Sequence, residues 1–431
     1  MLIEKVIGQS KILKGDLIMK KKILFLLLVA VLIGFSSNAL AETVTVEYWN
    51  LFGGGDAEFM DAIVEEFNDT HENIEVDVTR LEWEEYYTKL KTATASGNGP
   101  DIAISHVTRV KELVDEGLVV ALDELGENVG INWNEYNSNI LSGAEIDGQI
   151  YAVPLDTHPL VFYYNKDLLA EADLLAEDGT PKMEGSFKDF LGKLKSDSSA
   201  KYPMTNWTKL TAEGHYRVWW SFYNQLNGSS IVTGDEVTID KAKAVEAVNY
   251  MKDLYEKEYS PLHSEYMENV NLFRNGEAAS LLTGVWITGT LENTENLDFG
   301  VIPMPKVFDN RSVWGDSHTL VLPFARNVDQ EKREAALTFA KWATDNGELW
   351  AKAGHIPSKN TVIEKDEFRN MPYRMDYVKA ADYVTFDSAG SDTWGIRTEI
   401  TTALSKVWND QITAEEAVDQ AVTGIERLLS R

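Results

Sequence analysis

Between Gly148 and Leu168 the chain reads GQIYAVPLDTHPLVFYYNKDL, with two β-prone apolar runs, Ile150 to Val153 and Leu160 to Tyr164, on either side of Asp156-Thr157-His158. Pro154 and Pro159 bracket that polar trio. Proline holds the residue before it extended and removes a ladder donor. The pattern therefore predicts a strand that leaves one sheet, crosses a gap and enters another, and the gap would be a cleft. Polar side chains amid such apolar flanks need partners once water is excluded, which a ligand can supply. An exposed turn between two strands is the alternative that these residues alone leave open.

A crossing strand implies two lobes, and 431 residues are more than one core usually supports. Ahead of the lobes stands an address. Lys20-Lys21-Lys22 precedes the apolar run Ile23 to Phe35, and Ala39-Leu40-Ala41 closes a small-residue cleavage site. That run is shorter than the roughly 20 residues a bilayer-spanning helix needs. Residues 1–41 are thus expected to be an upstream extension plus a signal peptide, with Met19 the better start and Glu42 the first mature residue. The chain has no Cys, which excludes disulfides and a lipid-bearing Cys after the cleavage site. A periplasmic location is expected, with secretion as the alternative. The formal charge of -29 argues against nucleic acid as a partner, since that affinity rests on clustered Lys and Arg.

From Val44 the pattern alternates strand and helix. Val44 to Trp49 and Ile74 to Val78 alternate as strands, Asp56 to Phe67 and Trp83 to Ala95 read as helices, and Asp101 to Ile104 is a short buried strand ending in Ser105-His106. This order means α/β with a mainly parallel sheet, whose ligands sit at the carboxyl ends of strands, where Asn50, Ser105 and His106 lie. Gly53-Gly54-Gly55 lacks the Lys and Ser/Thr of a P-loop. Farther on, Ser186 is placed to cap a helix from Phe187, Asp240 to Glu256 and Ala335 to Thr344 are amphipathic, and Thr413 with Glu416 forms a capping box. Tyr216 to Leu226 is an aromatic-rich helix on which Trp219 and Trp220 point about 100° apart, so one can be core while the other faces the cleft. Gly276 to Trp286 reads as a buried strand ending in a glycine-flanked indole.

The succession VEYWNLFGGGD, LEWEEYYTKLKTATASGNGPDIAISH and AVPLDTHPLVFYYNKDLL resembles the extracellular solute-binding proteins of carbohydrate ABC importers, the maltose-binding-protein superfamily. The likeness continues through GVWITGTLE, WGDSHTLVLP and TAEEAVDQAVTGIERLL, and so spans nearly all of Glu42 to Arg431. It implies a periplasmic-binding-protein-like fold, two α/β lobes with mainly parallel sheets joined by hinge strands around a ligand cleft. The first lobe would comprise 42–153 and about 315–355, the second about 158–305 and about 358–431. It further implies a monomer that binds carbohydrate, engages the transmembrane permease subunits of an ABC importer, and performs no catalysis. By the same resemblance Trp286 and Trp394 fall where aromatic residues stack on sugar rings, His158 where a polar residue meets hydroxyls, and Tyr216 on a sugar-facing helix. The trio Asp156-Thr157-His158 departs from the Asp or Glu that the family often has beside the crossing.

A pyranose offers C–H faces that suit an aromatic plane and hydroxyls that suit Asp, Asn, His or Arg. On that chemistry the candidate ligand-binding residues are Asp56, Trp83, His106, Asp156, His158, Tyr216, Trp219, Trp286, Trp314, Asp316 and Trp394. No cofactor or metal is expected, because no metal-spaced His or Cys motif occurs. Two other classes remain. A glycosidase needs two carboxylates roughly 5–10 Å apart, which the sequence neither points to nor excludes. An importer component for another solute, such as a glycerol phosphodiester, a peptide or an anion, would use cations, and Arg109, Arg217 and Arg397 leave that open.

Overall fold

The computed structural model describes residues 43–430 except 54–55, 210–212, 328 and 388–391. The leader expected over residues 1–41 and the Gly54-Gly55 part of the first loop lie outside the described residues.

The first sheet is built from β1 (Val44–Asn50), β2 (Ile74–Arg80) and β3 (Ile102–His106), which pair in parallel. The helices between them are α1 (Asp56–Thr70) and α2 (Trp83–Ser96). Helix α1 buries Met60, Ile63, Val64 and Phe67, one stripe at helical spacing. Helix α2 stops at Gly97, whose φ of 84° lets its N–H turn back to the carbonyls of Ala93 and Thr94. Two further strands, β4 (Val153–Pro154) and β8 (His318–Val321), complete the order β2-β1-β3-β8-β4, with β8 antiparallel to both neighbours.

The second sheet has β5 (Leu160–Asn165) at its centre, flanked by β6 (Ser280–Gly284) and β7 (Phe299–Pro303). Here the structure refines the expectation of mainly parallel pairing, since both flanking strands run antiparallel to β5. Topology imposes this. Strand β5 carries the chain away from the crossing, whereas β6 and β7 bring it back, so their carboxyl ends meet the amino end of β5. Among the described residues, parallel pairing onto this sheet occurs at the isolated bridges Tyr202 to Ala278 and Thr205 to Leu281.

Successive residues of β5 explain its unbroken apolar run. Leu160, Phe162 and Tyr164 pack into one core, while Val161 and Tyr163 pack into another on the opposite face. The first of these cores includes α3 (Phe187–Asp197), α4 (Gly214–Gln225), α6 (Thr393–Trp408) and α7 (Ala414–Leu429), the last opened by the capping box of Thr413 and Glu416. A separate core lies around the first sheet and includes α5 (Gln330–Asp345).

Three segments connect the lobes. Residues 155–159 lead from β4 to β5. Residues 315–317 lead from Val313-Trp314, paired with Val384-Thr385, into β8. Ile356-Pro357 pairs with Thr157 and Asp156, so a third stretch lies against the first crossing. The carboxyl ends of β1, β3, β4, β6 and β7 all converge on these segments.

Candidate functional site

The first lobe supplies strand ends and helix starts. After β1 the chain turns through Leu51, Phe52 and Gly53, and α1 begins at Asp56, whose carboxylate sits where the helix dipole favours an anion. Helix α2 begins at Trp83, which is 38% exposed. His106 ends β3, and the Tyr87 hydroxyl accepts from its backbone N–H at 2.9 Å and meets its Nδ1 at 2.7 Å. With the phenol proton directed to Nδ1, the ring proton of His106 resides on Nε2. Burial lowers the His106 pKa well below its ordinary value, against the opposing pull of Asp316. The ring is therefore neutral and offers one donor.

At the hinge, Asp156 is fully buried and gathers donors from distant parts of the chain. Its Oδ1 accepts from His158 Nδ1 at 3.0 Å and from the backbone N–H of His318 at 3.0 Å. Its Oδ2 accepts from His318 Nδ1 at 2.7 Å and from Trp350 Nε1 at 2.6 Å. Burial, with His318 adding to it and Asp156 opposing, lowers His158 to about 4. Neutral His158 that donates from Nδ1 keeps an acceptor at Nε2. His106 and His158 thus present opposite hydrogen-bonding polarity side by side, their rings 5.7 Å apart.

The second lobe supplies aromatic planes and paired charges. Trp286 stands on the turn after β6, where its indole lies across Gly284 and donates to the Tyr266 hydroxyl at 2.8 Å. Helix α4 projects Arg217, whose guanidinium lies 4.2 Å from the Trp314 ring and 5.3 Å from Trp286 while pairing with Glu213 at 3.0 Å. Lys209 pairs with Glu265 at 2.6 Å. From α6, Arg397 pairs with Asp387 and reaches Asp316 at 3.3 Å and Glu213 at 3.8 Å, with Trp394 5.0 Å away. Burial alone would raise Asp316, but His106, Arg397, His158 and the Thr108 hydroxyl pull it down to about 2. Among the described residues, each Lys or Arg in the lining, Lys209, Arg217 and Arg397, is paired with a carboxylate.

These groups enclose a cleft of about 800 Å³ between the lobes. Contacts span it: Arg397 Nη2 donates to Thr108 Oγ1 at 3.4 Å, and Trp83 and Trp394 meet edge to face at 5.9 Å. A groove of about 440 Å³ along α6 adjoins it, sharing Glu213, Trp394 and Arg397.

Of the residues singled out from sequence, the structure brings Asp56, Trp83, His106, His158, Trp286, Trp314, Asp316 and Trp394 together in the lining. Three lie elsewhere. Asp156 sits behind the surface, where it orients histidines. Trp219 is 1% exposed and donates to the Ala244 carbonyl, so it fills core. Trp220 does likewise, donating to Thr385, which corrects the expectation that one of this pair faces the cleft. Tyr216 is 1% exposed and stacks on Trp220, because α4 is packed on nearly every side and reaches the cleft only through Arg217. Sequence reasoning missed Phe52, Trp207, Glu213, Tyr266, His318 and His355 in the lining. His318 carried a usable signal, since it opens an apolar strand directly after Asp316; the others lie in loops or on a helix without a distinguishing pattern.

The pattern of the bacterial extracellular solute-binding proteins matches residues 53–349. A maltotriose-binding protein of Pyrococcus abyssi is 22% identical over 302 residues, 68% of this chain and 62% of that protein's length. The sn-glycerol-3-phosphate-binding periplasmic protein UgpB of Salmonella typhimurium is 22% identical over 429 residues, 93% of this chain and 96% of its own. Among solved structures, the GacH receptor of Streptomyces glaucescens superposes with a TM-score of 0.77 at 17% identity, covering 90% of this chain and 99% of that one.

Proposed function

The chain belongs to the bacterial extracellular solute-binding proteins, and from this premise we propose that it captures a sugar, an oligosaccharide or glycoside, in the cleft between its lobes. It then delivers that sugar to the transmembrane permease subunits of an ABC importer. The observation that carries the reading is the pairing of indole planes with fully committed charges. Trp83, Trp207, Trp286 and Trp394 offer faces for pyranose C–H surfaces. His106, His158 and Asp56 offer donors and acceptors of fixed direction for hydroxyls, and an analogue lacking a hydroxyl leaves one of them unpaired. The adjoining groove gives room for more than one ring.

A second reading is favoured by the likeness to UgpB over most of the chain: a glycerol phosphodiester. A phosphate binds best where Arg or Lys is free to clamp it, and Lys209, Arg217 and Arg397 are already paired. The sugar therefore ranks first. Residues 42–153 with about 315–355 form the first lobe in this proposal, and about 158–305 with about 358–431 the second. The protein works as a monomer, exported to the periplasm by the leader in residues 1–41, without nucleic acid and without turning its ligand over.

A thermal-shift screen of maltooligosaccharides against glycerophosphodiesters, with reducing ends measured alongside, tests this. A ligand that binds only the folded state raises the midpoint by mass action. The proposal expects a concentration-dependent rise with a neutral sugar and no new reducing ends. A rise with the phosphodiester alone favours the second reading, and steady release of reducing ends refutes the non-catalytic role.

A further inference from the structure

Asp156, His158, His318 and His355 are all buried, and one donor atom from each lies within 4.8 Å of those of the others. They come from three separate stretches of the chain, so no spaced motif announces them. The hydrogen bonds of Asp156 explain two of the three imidazoles, which donate from Nδ1. His355 is different. It is fully buried, its Nε2 meets Asp56 Oδ1 at 3.2 Å, and its Nδ1 lies 3.3 Å from Asp156 Oδ2 without an aligned hydrogen bond to any partner. A fully buried ring nitrogen thus lies beside the Asp156 carboxylate with no aligned hydrogen-bond partner among the described residues.

We propose that these four side chains bind a divalent metal of the zinc class at the floor of the cleft, with Asp156 and the Nδ1 atoms of the three histidines as ligands. Two features of the cluster point there. Imidazole and carboxylate together suit a borderline cation rather than Mg²⁺ or Ca²⁺. The contacts of Asp156 with the three rings, 2.7 to 3.3 Å, compare with the spacing of about 3.3 Å between neighbouring ligands when each bond is about 2.0–2.1 Å.

The outer contacts match as well. Metal-bound histidines donate their second ring N–H to a carboxylate, and bound carboxylates are hydrogen-bonded in turn. His355 donates to Asp56 in this way, and Trp350 donates to Asp156. The charge of Asp156 and Asp56 offsets that of a divalent ion. His158, His318, His355 and Asp56 also line the cleft, which gives the ion a route in from solvent.

Metal at Nδ1 moves the ring protons of His158 and His318 to Nε2. Those nitrogens then change from acceptors to donors, so metal would alter which hydroxyl pattern the floor accepts. The inference itself is independent of the solute.

The test is a calorimetric titration of the chelator-stripped protein with Zn²⁺ in millimolar Mg²⁺, which occupies surface carboxylates. One equivalent should bind, and Co²⁺ in its place should give visible d–d absorption of a low-coordinate N/O site. His355→Gln removes a ligand and should abolish saturable binding. Asp56→Asn, at a partly exposed position that keeps the side-chain shape, should weaken it by about 10- to 100-fold. Absence of a saturable site overturns the proposal. So does Zn²⁺ affinity that is unchanged in Asp56→Asn and in folded His355→Gln, which would place the ion elsewhere.

Discussion

Adding one methyl group at Gly284 should displace the indole of Trp286 and weaken sugar binding without disturbing the strand. Gly284 has φ -80° and ψ 165°, a conformation open to any residue. A Cβ there would lie 1.8 Å from Cζ3 of Trp286 and 2.1 Å from Cε3 and Cη2. Carbon atoms rest about 3.5–4.0 Å apart, so the ring must move by roughly 2 Å. That motion breaks its hydrogen bond to Tyr266 and withdraws it from Arg217. Overpacking a core costs about 1–3 kcal/mol, and the low end is expected because the half-buried ring can swing into the cleft. Losing a correctly placed aromatic face should weaken binding by about 1–3 kcal/mol, or roughly 5- to 150-fold in Kd. Calorimetric titration of Gly284→Ala, Trp286→Ala and the double variant measures this. If the methyl acts only through the ring, the double variant matches Trp286→Ala, a wholly non-additive cycle. Additive losses would refute the steric account, and unchanged affinity in a folded Trp286→Ala would remove the indole from the site.

Other expectations are independent of that ring. Trp219→Ala should cost about 3–5 kcal/mol in urea denaturation because it empties core, whereas Trp83→Ala, exposed at the cleft, should lower affinity and leave the midpoint unchanged within about 0.5 kcal/mol. Arg397→Gln leaves buried Asp387 and Asp316 without their cation and should destabilise by about 3–5 kcal/mol. Burial lowers His215 from 6.5 to about 4, only partly opposed by the carbonyls of Thr208 and Lys209. Its unfolded form therefore binds a proton that the folded form refuses. Stability is full above pH 6.5 and falls as pH drops toward 4, by at most roughly 3 kcal/mol; His215→Gln should flatten that limb of the denaturation profile.

What the sequence made legible was whatever repeats locally. The strand and helix periods of residues 44–106, the prolines around Asp156-Thr157-His158 and the capping box at Thr413 each record a backbone preference in a few neighbouring residues, and the structure follows them. Trp286 was legible because a strand pattern ended beside glycine, and Gly284 proves to be the surface its ring lies on. Trp219 misled because a helix packed on nearly every side has no periodic sign of which face meets a cleft. Asp156 carried a polar signal that was real, but beyond neighbouring His158 its hydrogen-bond partners are His318 and Trp350, well over a hundred residues away. Such partners are fixed by tertiary folding, so the role of Asp156 as an orienting anion could not be read locally. The antiparallel second sheet was hidden for the same reason, since β5 pairs with strands more than a hundred residues later.

Solution scattering with and without saturating sugar tests most directly whether the cleft works as a site that closes. A ligand shifts the lobes only by binding the closed form better than the open one, and hinge closure around a ligand is the described behaviour of periplasmic binding proteins as a class. Groups from both sides of the 800 Å³ cleft, such as His106 and Trp286, would supply that difference here. The account predicts a radius of gyration that shrinks on adding the sugar identified by thermal shift, and no shrinkage in Trp286→Ala at the same concentration. An unchanged radius in a protein that demonstrably binds the sugar would contradict it.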